Sequence, residues 1–315
     1  MMSPPPAYRI TVRYTARRDG PTLGPRGKGL MQTWRSRCQT PLIILTLCTS
    51  LSGCSAPEQA AEAHEMLNAT LWRQSSAEYR AIALQTYRLA RTNLDQALAD
   101  PAWTAALEQT GDASALPPAI IADLDETILD NTGYEVRIIR RLGHYSAESF
   151  ADWCNEVDAP AIPGAREFLD YATTRGVAVF YYSARNAALR DCTARNLRNL
   201  RLPFSDESRL LLSDGESKSH RRARIAARFR ILLLLGDNLE DFSTGSKAEP
   251  AARRKLAERY TQRWGREWIV LPNPMYGHWE AAAYGFNYRL PRAEKLRRKR
   301  DLLQEPFVPQ GANEP

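Results

Sequence analysis

Ala119-Ile120-Ile121-Ala122-Asp123-Leu124-Asp125-Glu126-Thr127 is a short apolar run, entered through Pro117-Pro118, that stops on a cluster of acids. Consecutive apolar side chains without alternation suit a strand covered on both faces, and the run is too short for a buried helix. Four more such runs follow, at 177–182, 210–212, 231–235 and 268–271. Stretches of helical periodicity separate them, at 165–174, 186–200, 217–228 and 250–264. Strands alternating with helices predict an α/β fold, a parallel sheet with helices on both faces. The segment 133–162 interrupts the alternation directly after the first strand and reads as a small helical cap. Upstream, Leu71, Ala77, Ile82, Leu84, Tyr87, Leu89, Leu94 and Leu98 recur at helical spacing with no Gly or Pro between them. One long helix or two consecutive ones are expected there, within an N-terminal helical part at 71–116.

The chain has 315 residues, 43% hydrophobic and 25% charged, enough for a large buried core. That composition excludes a collagen-like, a disordered and a polytopic membrane chain. The net charge of +7 is unevenly placed. Residues 1–53 hold eight basic side chains against one acid, Asp19, and from residue 54 onward 35 basic and 35 acidic residues balance. The basicity belongs to the leader, and no nucleic-acid partner is expected from it.

The apolar stretch 41–51 is too short to span a bilayer and follows Arg35 and Arg37. It runs into Leu51-Ser52-Gly53-Cys54, so 1–53 reads as a leader and secretory signal, with Met31 as the expected start. The ending resembles a bacterial lipobox, which implies that Cys54 becomes the lipidated first residue and ties the protein to a membrane of the cell envelope. The same resemblance implies, from Ser55 in the next position, that this is the outer membrane. Residues 54–70 read as a tether, 71–300 as the main domain and 301–315 as a polar tail. The basic stretch from 291 reads as a solvated helix, with membrane-surface or nucleic-acid contact as the other readings. Cys154 and Cys192 remain after the signal; an oxidising compartment permits their disulfide, and the spacing does not demand it.

Chemistry-bearing residues sit at the carboxyl ends of the strands, where open α/β sheets bind ligands. Asp123 and Asp125 end the first, Ser183 the second, and Gly236-Asp237-Asn238-Leu239-Glu240-Asp241 the fourth; Lys218 begins the helix after the third. One acid pair alone could be a helix cap. Four clusters in this order resemble the haloacid dehalogenase (HAD) superfamily of phosphohydrolases, with its Asp-x-Asp, Ser/Thr, Lys and paired-acid motifs. Residues 123–131, 71–80, 236–242 and 271–280 are similar to the class C acid phosphatases, the bacterial lipoprotein 5′-nucleotidases, and the similarity runs over 68–300. The resemblance implies a HAD-like Rossmannoid fold and a Mg²⁺-dependent phosphomonoesterase. Its substrates would be small monoesters such as nucleoside 5′-monophosphates, nicotinamide mononucleotide included, cleaved through an aspartyl-phosphate.

Within phosphoryl transfer, Asp123 is the expected nucleophile, since a carboxylate needs no base to activate it at neutral pH. Asp125 is the expected acid toward the leaving oxygen and then the base toward water. One Mg²⁺ is expected on Asp123, the backbone carbonyl of Asp125 and Asp237, with Asp241 behind it or bound through water. Ser183 and Lys218 would donate to phosphate oxygens, and Arg221 or Arg222 are the alternatives to Lys218. Backbone N–H groups of 124–127 would complete the cradle. Arg185, in Ser183-Ala184-Arg185, is also expected at the substrate; many relatives show Asn before this Arg. The resemblance places a base between Phe150 and Tyr276, whereas the residues themselves also allow Phe150 and Trp153 to be core of the cap. His144 and His278 read as solvated. A phosphotransferase to an alcohol, or a non-catalytic nucleotide- or haem-binding surface lipoprotein, are the alternative functions. A homodimer is left open.

Overall fold

Residues 64–204 and 206–304 are described by a computed structural model. The five apolar runs become β1 (Pro118–Asp123), β2 (Ala178–Asn186), β3 (Leu210–Ser213), β4 (Arg230–Gly236) and β5 (Trp268–Val270). All pair in parallel, in the order β3-β2-β1-β4-β5. The strand carrying the acids is therefore central. Asp123 lies opposite Tyr182 of β2 and Ala122 opposite Leu235 of β4, so the polar ends that follow Tyr182 and Leu235 meet beside it.

The helices are α1 (Leu67–Ser75), α2 (Ala77–Ala99), α3 (Thr132–Arg140), α4 (Ala147–Glu156), α5 (Ala165–Thr174), α6 (Arg190–Asn199), α7 (Lys218–Ala226), α8 (Pro250–Arg259), α9 (His278–Ala282) and α10 (Arg292–Asp301). Of the two upstream readings, the structure takes consecutive helices. Ser76 leaves helical geometry and caps α2, its hydroxyl accepting from Tyr79 N at 3.0 Å. The tether is shorter than expected at its far end. His64 is buried with Nε2 3.2 Å from the Gly143 carbonyl oxygen, and α1 begins at Leu67, because the chain packs against the cap before reaching the apolar stripe.

Alternate residues of β1 feed two cores. Ile120 and Ala122 pack with Ala83, Tyr87, Leu94 and Leu169 of α2 and α5, while Ala119 and Ile121 pack with Ile225, Phe242 and Trp268 on the other face. Both isoleucines are 0% exposed, and burying each contributes about 1.5–3 kcal/mol. Coverage on both faces is why the run shows no polar alternation. The cap is α3 and α4. A disulfide between Cys154 and Cys192, with Cα atoms 5.6 Å apart, joins α4 to α6. No helix among the described residues is long and apolar enough to cross a membrane. The signal run, Met31, Cys54 and the chain beyond 304 lie outside the described residues.

Candidate active site

At the end of β1 the chain turns sharply, and Glu126 takes a left-handed backbone conformation, φ 63°. Glu126 is fully buried and held from three sides: Arg73 of α1 at 2.7 Å, the Asn131 backbone N–H at 3.1 Å and the Tyr276 hydroxyl at 3.0 Å. A residue strained in this way persists only when its surroundings over-determine it. Here they clamp the loop that carries Asp123 and Asp125. The N–H groups of Glu126 and Thr127 are taken up within the loop, by the Leu129 and Leu124 carbonyls, so these two do not join the expected cradle.

Asp123 is buried, and the Lys218 ammonium donates to its Oδ1; Thr127 Oγ1 reaches its Oδ2 at 3.4 Å. Lys218 is the first residue of α7, whose N-cap Ser217 accepts from His220 N at 3.2 Å. Its Nζ also donates to Asp241 Oδ1 at 2.5 Å. Burial drives the Asp123 carboxyl well above its ordinary range; Lys218 opposes this, while Asp241, Asp237 and Asp125 add to it. Arg221 and Arg222, the alternatives to Lys218, are engaged elsewhere. Arg221 donates to the Ser183 and Leu211 carbonyls, and Arg222 pairs with Glu108.

Asp123, Asp237 and Asp241 each offer an oxygen within 4.8 Å of the others, so Asp241 joins the same acidic cluster. Two local features bring it in. Its Oδ2 accepts the Asn238 backbone N–H at 2.8 Å, closing the turn after β4. Gly236 leaves the space: a Cβ there would overlap the Asp241 side chain. Asn273, which carried no role in the sequence reading, donates to Asp237 Oδ2 at 2.7 Å. Burial, then the neighbouring Asp241, raises Asp237 to about 8. Three carboxylates facing one ammonium leave surplus negative charge among hard oxygen donors, a set that fits a divalent cation.

Ser183 Oγ donates to Asp125 Oδ2 at 2.8 Å, and Asn131 Nδ2 to its Oδ1 at 2.8 Å. Arg185, expected at the substrate, lies on Asp125, with Nε 2.9 Å and Nη2 2.8 Å from Oδ1. The guanidinium is fixed in turn by Thr193 Oγ1 at 3.0 Å and Asn131 Oδ1 at 3.3 Å. The physical reason is that β2 continues past Ser183, so residues 183 and 185 share one face of the strand and both reach the acid. Burial pushes the Asp125 carboxyl up. The Arg185 charge and the hydrogen bonds from Arg185, Ser183 and Asn131 outweigh it and hold the group below its ordinary value.

Phe150 also lies differently. It is 8% exposed, edge-on to Tyr134 at 5.3 Å, tilted against Tyr145 at 5.9 Å, and covered by the Arg185 guanidinium at 5.2 Å. Its ring is part of the cap core, as is Trp153, whose Nε1 donates to Asn131 Oδ1 at 3.0 Å. Tyr145 is 66% exposed and is the aromatic face the cap presents. Tyr276 is half-buried in the loop after β5, and exposed Trp279 donates to the Asn273 and Tyr276 carbonyls at 3.1 and 3.2 Å. His144 is exposed, whereas His278 is half-buried, 3.2 Å from Ser246 Oγ.

The arrangement is a buried carboxylate at the end of a central parallel strand, a lysine on it, an acidic cluster beside it and a second carboxylate two residues on. The family model described as HAD superfamily, subfamily IIIB (acid phosphatase), matches residues 41–279. The chain is similar to the class C acid phosphatase of Bacillus anthracis, 33% identical with a TM-score of 0.70, over 77% of this chain and 98% of that one. A second structure of the Bacillus anthracis class C enzyme, with tungstate bound, is 32% identical with a TM-score of 0.70, over 78% and 98%. The chain thus belongs to subfamily IIIB of the HAD superfamily, the class C acid phosphatases.

Proposed function

We propose that this acid phosphatase hydrolyses small phosphate monoesters, nucleoside 5′-monophosphates foremost, and is held at the cell envelope by a lipid on Cys54. The observation that carries the chemistry is the placement of Asp123 at the end of β1, with Lys218 on one carboxylate oxygen and Asp125 on the same loop. Asp123 attacks phosphorus, the ester P–O bond breaks, and Asp125 gives its proton to the departing oxygen. Asp125 then takes a proton from the water that hydrolyses the aspartyl-phosphate. Lys218 opposes the burial and the neighbouring acids that disfavour the ionised form of Asp123. Arg185, Asn131 and Ser183 hold Asp125 in place.

Asp123, Asp237 and Asp241 would hold a single Mg²⁺. Such an ion supplies Lewis-acid stabilisation of the phosphoryl oxygens and offsets repulsion between phosphate and the acidic cluster. Tungstate in the Bacillus anthracis structure is a tetrahedral oxyanion, which supports a ligand of the phosphate class. A nucleoside base finds aromatic surface at Tyr276 and at Tyr145, whose phenol lies within the electrostatic reach of Asp125 and Arg185. Stacking of this kind contributes about 1–3 kcal/mol per base and tolerates base identity.

Asp123→Asn tests the reading: phosphate release from nucleoside 5′-monophosphates falls to background while circular dichroism stays native. A variant that turns over like the parent would remove the nucleophile assignment. EDTA-sensitive hydrolysis by the parent separates the enzyme from a nucleotide-binding lipoprotein.

A further inference from the structure

Helix α10 has no buried residue, so packing of an apolar face does not explain its position. Ion pairs do. Lys299 donates to Glu65 Oε2 at 2.5 Å and also pairs with Glu280, Arg292 Nε lies 3.8 Å from Glu65, and Lys295 and Lys299 lie over the Tyr284 ring. Residues 292, 295 and 299 form the inner face at helical spacing. Outward, Arg297 is 60% exposed, Arg298 is 41% exposed, and Arg289 and Arg300 are exposed and make no ion pair among the described residues. Beside them Tyr288, Leu302 and Leu303 are 61%, 46% and 79% exposed.

The charge of this segment, counting both faces of the helix, is not average for the chain. Residues 289–301 hold seven of the 35 basic side chains from residue 54 onward and two of the 35 acids. The remainder of that part of the chain then carries a net charge of −5, and the basic helix stands out against an acidic body. The placement is equally particular. Glu65, which pairs with α10, lies eleven residues after Cys54. A segment of that length reaches at most about 40 Å when fully extended.

We propose that α10, with Arg289, Tyr288, Leu302 and Leu303, is a membrane-contact face that seats the enzyme on anionic phospholipid headgroups. The proposal rests on the lipid-anchor reading for the nearness of a bilayer. Basic side chains meet the headgroup phosphates, the exposed leucines and tyrosine enter the interface, and the acidic body is turned away. The short tether keeps this face within reach of the membrane, so the contact needs little affinity of its own.

The test uses the acyl-free chain beginning at Ser55, which retains all of the described residues, 64–204 and 206–304. Sedimentation is measured with phosphatidylcholine vesicles and with vesicles that also contain phosphatidylglycerol. Binding is expected only to the anionic vesicles, is lost in high salt, and drops at least about tenfold in Arg289→Glu/Arg300→Glu. Leu302→Ser/Leu303→Ser weakens it as well. Both variants retain full phosphatase turnover, which shows that they fold. Equal sedimentation with neutral and anionic vesicles, or an unchanged double charge reversal, overturns the proposal. Duplex DNA competing as well as the anionic vesicles also overturns it, by assigning the helix to nucleic acid. Incorporation of labelled palmitate into the full chain but not into Cys54→Ser tests the anchor alone, so failure of either reading is told from failure of the other.

Discussion

Asp125 shows how much one side chain depends on its neighbours. In its proposed role of proton donor to the leaving oxygen it would work in its protonated form, yet Arg185, Ser183 and Asn131 all donate to it and favour the anion. A proton donor held below the ordinary carboxyl range loses its proton early, so turnover should fall as pH rises out of the acid range. Replacing Arg185 by Met removes the opposing charge and leaves the burial, which raises the Asp125 pKa. The alkaline limb of the kcat profile should then move to higher pH, and the unpaired buried acid should destabilise the fold by about 3 kcal/mol. A limb that stays in place would show that Asp125 is not the group titrating in turnover. Tyr145 permits a second prediction. Tyr145→Ala should raise KM for nucleoside 5′-monophosphates about 5–100-fold while leaving KM for an aliphatic phosphate ester unchanged. An equal change for both substrates would remove Tyr145 from base recognition.

At the scale of elements, the site depends on where strands stop and what the next turn allows. β4 ends at Gly236, and the turn closed by Asn238 and Asp241 folds directly over that glycine. Gly236→Ala should push Asp241 off Lys218 and out of the acidic cluster. The overpacking should cost about 1–3 kcal/mol of stability. Activation by Mg²⁺ should weaken by about 10–100-fold, read from the Mg²⁺ concentration at half-maximal activity. Unchanged activation would show that Asp241 is dispensable to the cation. The cap is tied to the core at its far end by the Cys154–Cys192 disulfide, beside the Arg185 guanidinium, so the elements that brace Asp125 are covalently joined. Closing a loop of 38 residues of separation contributes about 3–4 kcal/mol in the chain-entropy account.

For the whole molecule, the concentration of carboxyl groups at one end of the sheet couples metal, proton and fold. Asp237 is raised to about 8, against about 4 for an ordinary carboxyl group in the unfolded chain. The native metal-free state therefore holds this proton more tightly than the unfolded state. Its contribution is fully present below about pH 4 and is lost as pH rises through about 8. Buried Glu126, at about 7, and Glu135, at about 8, act in the same direction. A cation on the cluster needs Asp237 ionised, so it competes with the proton. Saturating Mg²⁺ should raise Tm more near pH 8 than near pH 5. Comparing Tm with and without the ion at each pH largely cancels the part due to Glu126 and Glu135. An equal or smaller rise near pH 8 would mean that the ion does not bind through Asp237.

The strands, their order along the chain and the places where chemistry would sit were legible in the sequence, because each is a local signal. Asp123 could be located from its own neighbours: four apolar residues before it and an acid two residues after it. The same holds for Lys218 at a helix start and Asp237 after an unbroken apolar run. What the sequence left open was which groups face one another. Ser76 dividing the upstream helix, Asp241 joining Asp237 and the Cys154–Cys192 bond all had alternatives that no spacing could decide. Arg185 turning to Asp125, Phe150 sinking beneath Tyr145, and Arg73 and Asn273 bracing the loops were decided only by tertiary structure. The reason is physical: backbone periodicity is set by residues a few positions apart, whereas the direction of a buried side chain is set by partners such as Asn131 and Thr193, which only the folded sheet brings together.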